Sequence, residues 1–438
     1  MENTEQEIFH DASCENLAPN STKIFAGSFA PEDEIRSKDF SILPFSDPRQ
    51  ELPGRSPVQR FSIWSMLKEF VGNDLTHISL PIILNEPLST LQKYFECFSH
   101  GGDMYNLMNT TDPIERLEYI AGVFAVSQSS LAHRIYKPFN PLLGETYEIM
   151  NNNKDFYFVT EQVSHHPPIS AIHFQLPKIR VRGFIGQSIK FWGTSIDILI
   201  DGTFNYEFLD ENGEVETLIT LSNVPPCSAR NIIMGNIWLE RHGVMHFVNH
   251  TTGHKLNLNF KKKNWFNNRE LHAVEGVLVD KNGKELRNLY GNWNNEVWSC
   301  TPETYKRIKA HSNLSKGPDS KLLCKAIPKL PNSEQYFNMP QFSIALNELR
   351  ENMNLPPTDA RFRPDISFLE NGDLERASAE KHRLEEKQRA ARRLREARGE
   401  TWTPLWFDLV PNPATKKEEW LFNYKYLEQN FHKCPDIY

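Results

Sequence analysis

The stretch EQVSHHPPISA, Glu161 to Ala171, sets two adjacent histidines against two adjacent prolines between runs that favour β-strands. Proline fixes φ and has no backbone N–H to donate, so a Pro-Pro pair interrupts a strand at a defined point. We therefore expect a rigid, shaped corner here. The histidine pair raises the question of metal or acid-base chemistry at this corner.

Short runs with a period of two extend around this corner, from Thr146 to Trp298. They are separated by turn signals such as DENGE, KNG and HTTGHK, which is typical of an antiparallel meander. A sheet with so many strands closes partly to avoid exposed edges, and a large barrel can enclose a ligand. The pattern predicts a mainly β (α+β) fold with a large barrel or a strongly curved sheet.

Helical spacing precedes the strands. FSIWSMLKEFVG (61–72) has apolar residues at i, i+3, i+4 and i+7 and a stop at Gly72, which predicts a helix of about three turns. LSTLQKYFECF (88–98) and ERLEYIAGVFAVSQSSLAHRIY (115–136) predict two packed helices. We interpret their aromatic stripes as core packing.

The residues before the first predicted helix, 1–57, differ in composition from those that follow. They are rich in Asp, Glu, Ser, Asn and Pro with few periodic apolar positions, so we expect a mostly disordered acidic arm. A folded domain at 58–438 follows.

Charge and cysteine content exclude several classes of function. Lys and Arg total 49 against 56 Asp and Glu, a formal charge of -7, so the surface as a whole is no nucleic-acid-binding field and an anion site must be a local basic cluster. The six cysteines form no CxxC pair, which favours a reducing compartment. Because neither a secretory signal nor a long apolar run is present, we expect a protein of the cytosol or of membrane surfaces.

Several interpretations of the His165–His166 pair are open. A zinc or iron site needs three or four ligands, and neither an HxxH or HExxH motif nor a cysteine at suitable spacing accompanies the pair. A nucleophilic hydrolase would carry a GxSxG elbow or its equivalent, and the sequence has none. The imidazoles could instead donate to phosphate oxygens, or both could be core histidines that backbone carbonyls satisfy.

Two further motifs could hold an anion. EKHRLEEKQRAARRLREARG consists of strong helix formers, and its Lys381, Glu385 and Arg389 at i, i+4 and i+8 place two cations around a carboxylate on one face. Such a face can bind phosphate, and it equally suits salt bridges on a solvated helix. In KPFNPLLGETY (137–147), Lys137 and Asn140 stand around two prolines, as a rigid loop or as a polar ledge for an anionic head group.

Together these motifs resemble the oxysterol-binding protein family. EQVSHHPPISA is similar to the signature of that family almost letter for letter, and KPFNPLLGETY, NEPLSTLQKY, HAVEGVLVD, LYGNW, RPDI and EEKQR accompany it. The resemblance covers Ser62 to the final PDIY. Within the family the chain is similar to the short type, which lacks ankyrin repeats and a pleckstrin-homology domain.

The resemblance implies a near-complete antiparallel β-barrel around a hydrophobic tunnel, with an N-terminal lid at one end and helices at the C-terminal side. Within the domain at 58–438, the lid is then expected at 61–80, the barrel at about 140–300 and the helical C-terminal part at 301–438. It implies lipid ligands, a sterol and a phosphatidylinositol phosphate, and neither a metal, another cofactor nor a catalysed reaction. The phosphoinositide head group is then expected to contact Lys137, Asn140, His165, His166, Lys381, Glu385 and Arg389. On the lid helix, Trp64, Leu67 and Phe70 are candidates to cover the lipid tail.

The sterol side of the resemblance differs at one place. In SSLAHRIY, Leu131 and Ala132 stand where relatives often carry Gln followed by an aromatic residue. A polar group that helps water to reach a sterol hydroxyl would then be missing. Another neutral lipid is therefore an alternative cargo.

A second resemblance lies in the arm. EIFHDASCE is similar to the FFAT motif, two phenylalanines in an acidic tract, which docks the endoplasmic-reticulum protein VAP. Phe9, Asp11 and Ala12 match that motif, whereas Cys14 replaces its usual acidic residue. VAP is thus an expected partner, beside membrane surfaces that the protein would contact peripherally.

These observations predict a lipid-transfer protein that holds a sterol and a phosphoinositide in one tunnel, so that each excludes the other and the two are exchanged between membranes. A lipid sensor or scaffold at membrane contact sites is the alternative, in which the arm binds a partner according to lipid occupancy. A lipid hydrolase is a third and weaker reading, because a nucleophile motif and a metal set are missing from the sequence.

Overall fold

The corner at His165 and His166 lies between two strands of a long antiparallel sheet. The structure is a computed structural model, and it describes residues 43, 47–57, 63–73, 79–151, 153–234, 237–263, 270–311, 315–351, 353–411 and 418–438.

The strands are β1 (Asn85–Ser89), β2 (Lys137–Phe139), β3 (Thr146–Met150), β4 (Tyr157–His165), β5 (Pro168–Gln175), β6 (Ile179–Phe191), β7 (Ser195–Leu209), β8 (Val215–Ser222), β9 (Cys227–Arg230), β10 (Trp238–Arg241), β11 (Gly243–Asn249), β12 (Lys255–Phe260), β13 (Ala273–Val279), β14 (Glu285–Asn292), β15 (Glu296–Cys300), β16 (Lys321–Lys325), β17 (Phe407–Pro411) and β18 (Glu418–Phe422). The helices are α1 (Ile63–Leu67), α2 (Thr90–Phe95), α3 (Gly101–Asn109), α4 (Pro113–Ser127), α5 (Pro302–Ala310), α6 (Gln341–Ala345), α7 (Pro364–Glu370) and α8 (Leu374–Arg398). Single 3-10 turns follow or join them at Lys68–Phe70, Ile82–Leu84, Glu96–Phe98, Gln128–Leu131, Ser333–Tyr336, Ala360–Phe362 and Lys425–Glu428.

The predicted meander is confirmed as one 14-stranded antiparallel sheet. Its order runs β3-β4-β5-β6-β7-β8-β11-β12-β13-β14-β15-β16, while β9 pairs with β7 and β10 pairs with β9. Among the described strands, β3 and β16 end the order and do not pair with each other. The hydrogen bonding therefore shows a large antiparallel sheet and leaves its closure into a barrel as a prediction.

Other parts of the chain contact both end strands of this sheet. At β3, the N–H of Thr146 donates to Thr358 O at 2.9 Å. At β16, α4 packs so closely that a Cβ added to Gly122 would lie 2.7 Å from Leu323 Cβ.

The sheet continues beyond the predicted end of the barrel. The last strand of the sheet, β16, spans Lys321–Lys325. Within 301–438, where a helical part is expected, the structure has α5 to α8 together with β16 and the hairpin β17–β18. The run KLLCK is too short and too isolated for periodicity to reveal it. Pairing with β15 makes it a strand.

The predicted helix at 61–72 is shorter in the structure. Helix α1 ends at Leu67, a 3-10 turn follows at Lys68–Phe70, and the N–H of Gly72 donates to Phe191 O at 2.8 Å. Gly72 has a φ of +83°, a conformation that glycine adopts readily. The hydrogen bond to Phe191 places the chain against the β6–β7 hairpin, so the helix does not continue.

The boundary between the arm and the domain also differs from the prediction. Leu43 and Leu52 are buried, and the N–H of Gly54 donates to Glu370 O at 2.9 Å. Residues 47–57, which the composition assigned to the arm, therefore pack on the domain. The sequence does not predict this packing, because the few apolar residues involved show no periodic spacing. Residues 1–42 lie outside the described part of the chain.

Three apolar clusters lie in the described part of the fold, and one of them packs the β17–β18 hairpin against β4 and β5. The largest one lies between α2, α3, α4 and the sheet, and includes Phe95, Phe158 and Phe174. A smaller one joins α1 to the β6–β7 hairpin through Leu67, Phe191 and partly buried neighbours. Within the described ranges, every helix is too short or too polar to cross a bilayer.

A buried ionic cluster fixes the segment that leads into β2. Arg134 has a fully buried side chain, whose Nη2 lies 2.8 Å from Glu86 Oε1 and whose Nη1 lies 2.7 Å from Glu96 Oε1. Because both carboxylates lie deep in the fold, the guanidinium compensates charges that water cannot reach. The cluster thereby ties β1 and the turn after α2 to the start of the KPFNP loop.

Candidate functional site

A cleft of about 310 Å³ opens where the β4–β5 turn, the segment around β2 and α8 meet. The seven side chains that the sequence assigns to a head group all line it: Lys137, Asn140, His165, His166, Lys381, Glu385 and Arg389. They come from three segments that are far apart in the chain. The fold thus brings together residues that three separate motifs supply.

The histidine corner is the turn of the β4–β5 hairpin. His165 is the last residue of β4 and pairs with Pro168, the first residue of β5, so only His166 and Pro167 connect the strands. The His166–Pro167 peptide bond is cis. The two imidazoles lie edge to face with their centroids 4.9 Å apart. The predicted corner is a two-residue turn with both rings at the cleft.

Two α8 residues that the sequence reasoning missed hold these rings. The Gln388 amide nitrogen lies 2.9 Å from His165 Nε2, and Arg392 Nη1 lies 2.7 Å from His166 Nε2. Since an amide NH2 and a guanidinium can only donate, both Nε2 atoms accept in this arrangement. Gln388 also accepts from the N–H of Leu143 at 2.8 Å, so it ties α8 to the KPFNP loop. Both residues lie on the α8 face of Lys381 and Glu385, two and three turns further on, so helical spacing was the signal that could have found them.

The predicted face of α8 forms as expected. Glu385 lies 3.0 Å from Lys381 Nζ through one carboxylate oxygen and 3.5 Å from Arg389 Nη2 through the other. Lys381 Nζ also donates to Ser79 Oγ at 2.7 Å and to Leu80 O at 2.8 Å. The segment that follows α1 is therefore attached to the cleft by one of the cations predicted to hold a head group.

Lys137 lies half-buried at the floor of the cleft. Its Nζ donates to Pro138 O at 3.2 Å and to the Asn140 side-chain oxygen. Burial, together with the positive charges of Lys381 and Arg363, lowers the pKa of the Lys137 ammonium from 10.5 to about 7. An anion that enters the cleft would offset this destabilisation, because it supplies the missing negative charge.

Arg363, in the RPDI motif, also lines the cleft. It donates to Asn140 O at 2.9 Å and to the buried carboxylate of Glu145 at 2.7 Å, and it also pairs with Asp365. These carboxylates raise the pKa of the Arg363 guanidinium above its usual range. Its charge is thus largely neutralised within the fold, and its contacts fix the loop that carries Lys137 and Asn140.

The side chains around the histidine pair differ from those of a metal centre. In the described residues, no three His, Cys, Asp or Glu side chains come together as ligands of an ion would. His165 and His166 face Gln388 and Arg392 at the cleft surface, which also differs from the interpretation of two enclosed core histidines.

The lid candidates pack on the β6–β7 hairpin. Leu67 is buried, and the Trp64 ring lies 6.2 Å from that of Phe191 in an edge-to-face arrangement. The side chain of Phe70 lies outside the described part of the structure. Beside them, a second cavity of about 40 Å³ is lined by Tyr94, Gln187 and Ile189 and reaches His165. The candidate lid therefore borders on the space behind the cleft.

Comparison with known proteins shows the family. The sequence model described as Oxysterol-binding protein matches residues 62–431. The chain belongs to the oxysterol-binding protein family. This family member is 39% identical over 417 residues to oxysterol-binding protein-related protein 2 of Mus musculus, across 86% of this chain and 85% of that protein. It is 39% identical over 410 residues to oxysterol-binding protein-related protein 1 of Homo sapiens, of whose length it spans 42%.

Solved structures of the family share the fold. The Osh1 ORD domain in complex with cholesterol matches with a TM-score of 0.79 and 32% identity, over 91% of this chain and 96% of that one. The Osh3 ORD in complex with PI(4)P from Saccharomyces cerevisiae matches with a TM-score of 0.72 and 26% identity, over 90% and 98%. Members of this fold thus bind a sterol or a phosphoinositide.

Proposed function

We propose that this protein is a lipid carrier that binds a sterol, or another neutral lipid, and a phosphoinositide in one tunnel, and exchanges them between membranes. The observation that carries this proposal is the meeting of all seven expected head-group residues in one cleft. The sterol and PI(4)P complexes of the Osh1 and Osh3 domains support it. No covalent step is involved, so the protein acts as a carrier and not as an enzyme.

The cleft has the chemistry of a phosphate site. Lys137, Lys381, Arg389 and Arg392 line it, against the single carboxylate of Glu385 among the lining residues. Cations with several donors suit phosphate oxygens, and the arginines can bind two oxygens at once. Because Glu385 contacts Lys381 and Arg389, it orients both without neutralising the set. We therefore assign the inositol phosphate head group to this cleft.

The lipid tail requires more space than the cavity behind His165 offers. Sites for small lipids and drugs occupy roughly 300–1,000 Å³, whereas the cavity behind His165 has about 40 Å³. We propose that the curved sheet closes into a near-complete barrel around a tunnel, and that this cavity widens when a lipid enters. Trp64, Leu67 and Phe70 would then cover the tail, and a shared tunnel makes the two cargoes mutually exclusive.

The cellular setting belongs to the same proposal. The protein would work from the cytosol, peripherally on membranes, and at endoplasmic-reticulum contact sites if its arm docks on VAP. That docking would use Phe9, Asp11 and Ala12, which lie outside the described residues.

Native mass spectrometry of the full chain after incubation with liposomes carrying phosphoinositide and sterol tests the proposal. We expect the wild type to hold one or the other lipid and His165→Ala/His166→Ala to lose the phosphoinositide while it keeps the sterol. The control His246→Ala/His250→Ala removes two imidazoles from the β11 region and should load both. Unchanged phosphoinositide loading in the His165/His166 variant would overturn the head-group assignment, and a lipid of altered mass would overturn the carrier reading.

A further inference from the structure

Large apolar side chains are exposed next to the candidate lid. Met234 is 77% exposed and Trp192 is 54% exposed, the two highest values for large apolar residues in the described part of the chain. Val71 and Ile233 are 46% and 47% exposed. We call these four residues the tip patch. Contiguous exposed apolar surface on a soluble protein generally marks a contact with a partner or a membrane.

The four residues come from three segments that touch. A Cβ added to Gly193, at the tip of the β6–β7 hairpin, would lie 3.4 Å from Val71 Cγ1. On the other side, the N–H of Ile232 donates to Thr194 O at 3.3 Å. The hairpin tip, the chain after α1 and the segment before β10 therefore form one surface.

This surface is held from beneath. Phe191 and Ile232 are buried in the cluster that also contains Leu67 of α1. The indole N–H of Trp192 donates to Asp197 Oδ2 at 2.9 Å, which fixes the ring while its apolar face stays in solvent. A surface that is already ordered loses little conformational entropy when it binds.

The chemistry around the tip patch favours a bilayer as its occupant. Tryptophan prefers the membrane interface, where the ring is in an apolar layer and the N–H in a polar one. Lys68, Lys190 and Glu69 are exposed on the same segments, so the exposed charges described there are mostly positive, and lysines beside an apolar patch attract anionic lipids. The underlying cluster extends to Leu80, which lines the head-group cleft, so the patch lies at the end of the domain where a lipid would be exchanged.

We propose that Val71, Trp192, Ile233 and Met234 form a docking surface that inserts into the interfacial layer of an anionic phospholipid bilayer. This inference rests on the proposed function, since it names the membrane contact of the same lipid-exchange end. It concerns residues that lie outside the head-group cleft, so docking and lipid loading are separable.

The test is flotation of the full chain with vesicles of phosphatidylcholine and phosphatidylserine that contain neither sterol nor phosphoinositide. We expect Trp192→Ser/Met234→Ser to reduce the bound fraction at least about tenfold and to slow transfer between vesicles, while loading from detergent micelles stays normal. Met234→Asp alone should reduce binding in the same direction, and at 77% exposure this substitution leaves the core intact. The control Leu349→Ser/Leu409→Ser removes two side chains of 48% and 44% exposure on other elements and should bind as the wild type does.

The outcomes separate this inference from the proposed function. Equal vesicle binding by wild type and Trp192→Ser/Met234→Ser would overturn the docking surface, even if loading and transfer proceed as proposed. Failure of the wild type to bind these vesicles would overturn it as well, as would a result in which the patch variants lose only a protein partner. Loss of docking together with normal phosphoinositide loading supports it.

Discussion

Replacing Lys137 by methionine is expected to stabilise the unliganded protein while it weakens head-group binding. The ammonium lies half-buried beside two other cations, Lys381 and Arg363, and its pKa is lowered from 10.5 to about 7. Methionine has nearly the same length and no charge. The substitution therefore removes an unfavourable charge from the empty cleft and a favourable one from the occupied cleft.

The magnitude follows from the pKa. At about 1.36 kcal/mol per pKa unit, keeping Lys137 charged in the folded state costs up to about 5 kcal/mol relative to the unfolded chain. Methionine also loses the two hydrogen bonds of Nζ, each of which contributes about 1 kcal/mol. Solvent that reaches the half-buried side chain screens part of the remaining difference. We expect the free energy of unfolding to rise by about 2 kcal/mol.

The sign depends on pH in a defined way. Below about pH 7 the ammonium is charged in both states and the full cost is present, whereas between about pH 7 and 10.5 the folded state loses its proton and the cost declines. Urea unfolding at about pH 6 and about pH 9 should therefore show a large advantage of Lys137→Met at the lower pH and a small one at the higher. Binding of phosphoinositide should weaken by about 30-fold at neutral pH, since a charge-assisted hydrogen bond is lost.

The control for this experiment is Lys284→Met. Lys284 is an exposed lysine in the turn between β13 and β14, so the same change there should leave stability and binding within error. The reasoning would be refuted if Lys137→Met were no more stable than the wild type at about pH 6, or if its advantage were the same at both pH values.

Three further substitutions test other parts of the structure. Gln388→Leu removes the amide that holds His165 and should weaken phosphoinositide binding about tenfold with little effect on sterol loading, which native mass spectrometry would detect; an equal loss of both lipids would contradict this. Arg134→Met removes the buried guanidinium from two glutamates and leaves Lys93 as the cation beside them. It should lower the free energy of unfolding by about 3–5 kcal/mol in urea, and a change under 1 kcal/mol would contradict this. Gly122→Val should destabilise by about 1–3 kcal/mol, because its added carbon would lie too close to β16; an unchanged melting temperature would show that α4 can move away.

The local pattern of the sequence predicted the sheet well. In β13, Val274, Gly276 and Leu278 point inward while their neighbours are half-buried, which is the period of two that the run HAVEGVLVD shows. The order of the strands in the sheet could not be predicted from this local pattern. The pairing of β8 with β11, while β9 pairs with β7 and β10 with β9, depends on contacts between distant segments, which local periodicity does not encode.

The sequence predicted those residues of the site that lie in recognisable motifs. The residues of KPFNP, SHHPP and KHRLEEKQR came from recognisable stretches, and the fold brings them into one cleft. Charges at i, i+4 and i+8 do not point to Gln388 and Arg392, which stand at i+7 and i+11 from Lys381, although helical spacing also includes these positions. Arg363 was noted only as part of a motif, since its role depends on the buried partners Glu145 and Asp365.

Ends of elements were the least predictable part. The stop of α1 at Leu67 depends on a backbone hydrogen bond to Phe191, more than a hundred residues away in the chain. Likewise, the packing of residues 47–57 rests on single contacts such as the one between Gly54 and Glu370. Tertiary contacts of this kind override local preference, so composition alone sets such boundaries only to within several residues.

The contacts of Lys381 have a kinetic consequence for a protein that works as proposed. Its three N–H donors already serve Ser79 Oγ, Leu80 O and Glu385. A phosphate oxygen that arrives at this ammonium must replace one of these partners, so capture cannot be faster than the breaking of that contact. At high ligand concentration the observed association rate would then level off at a plateau. That plateau would equal the rate at which the chain after α1 dissociates from α8.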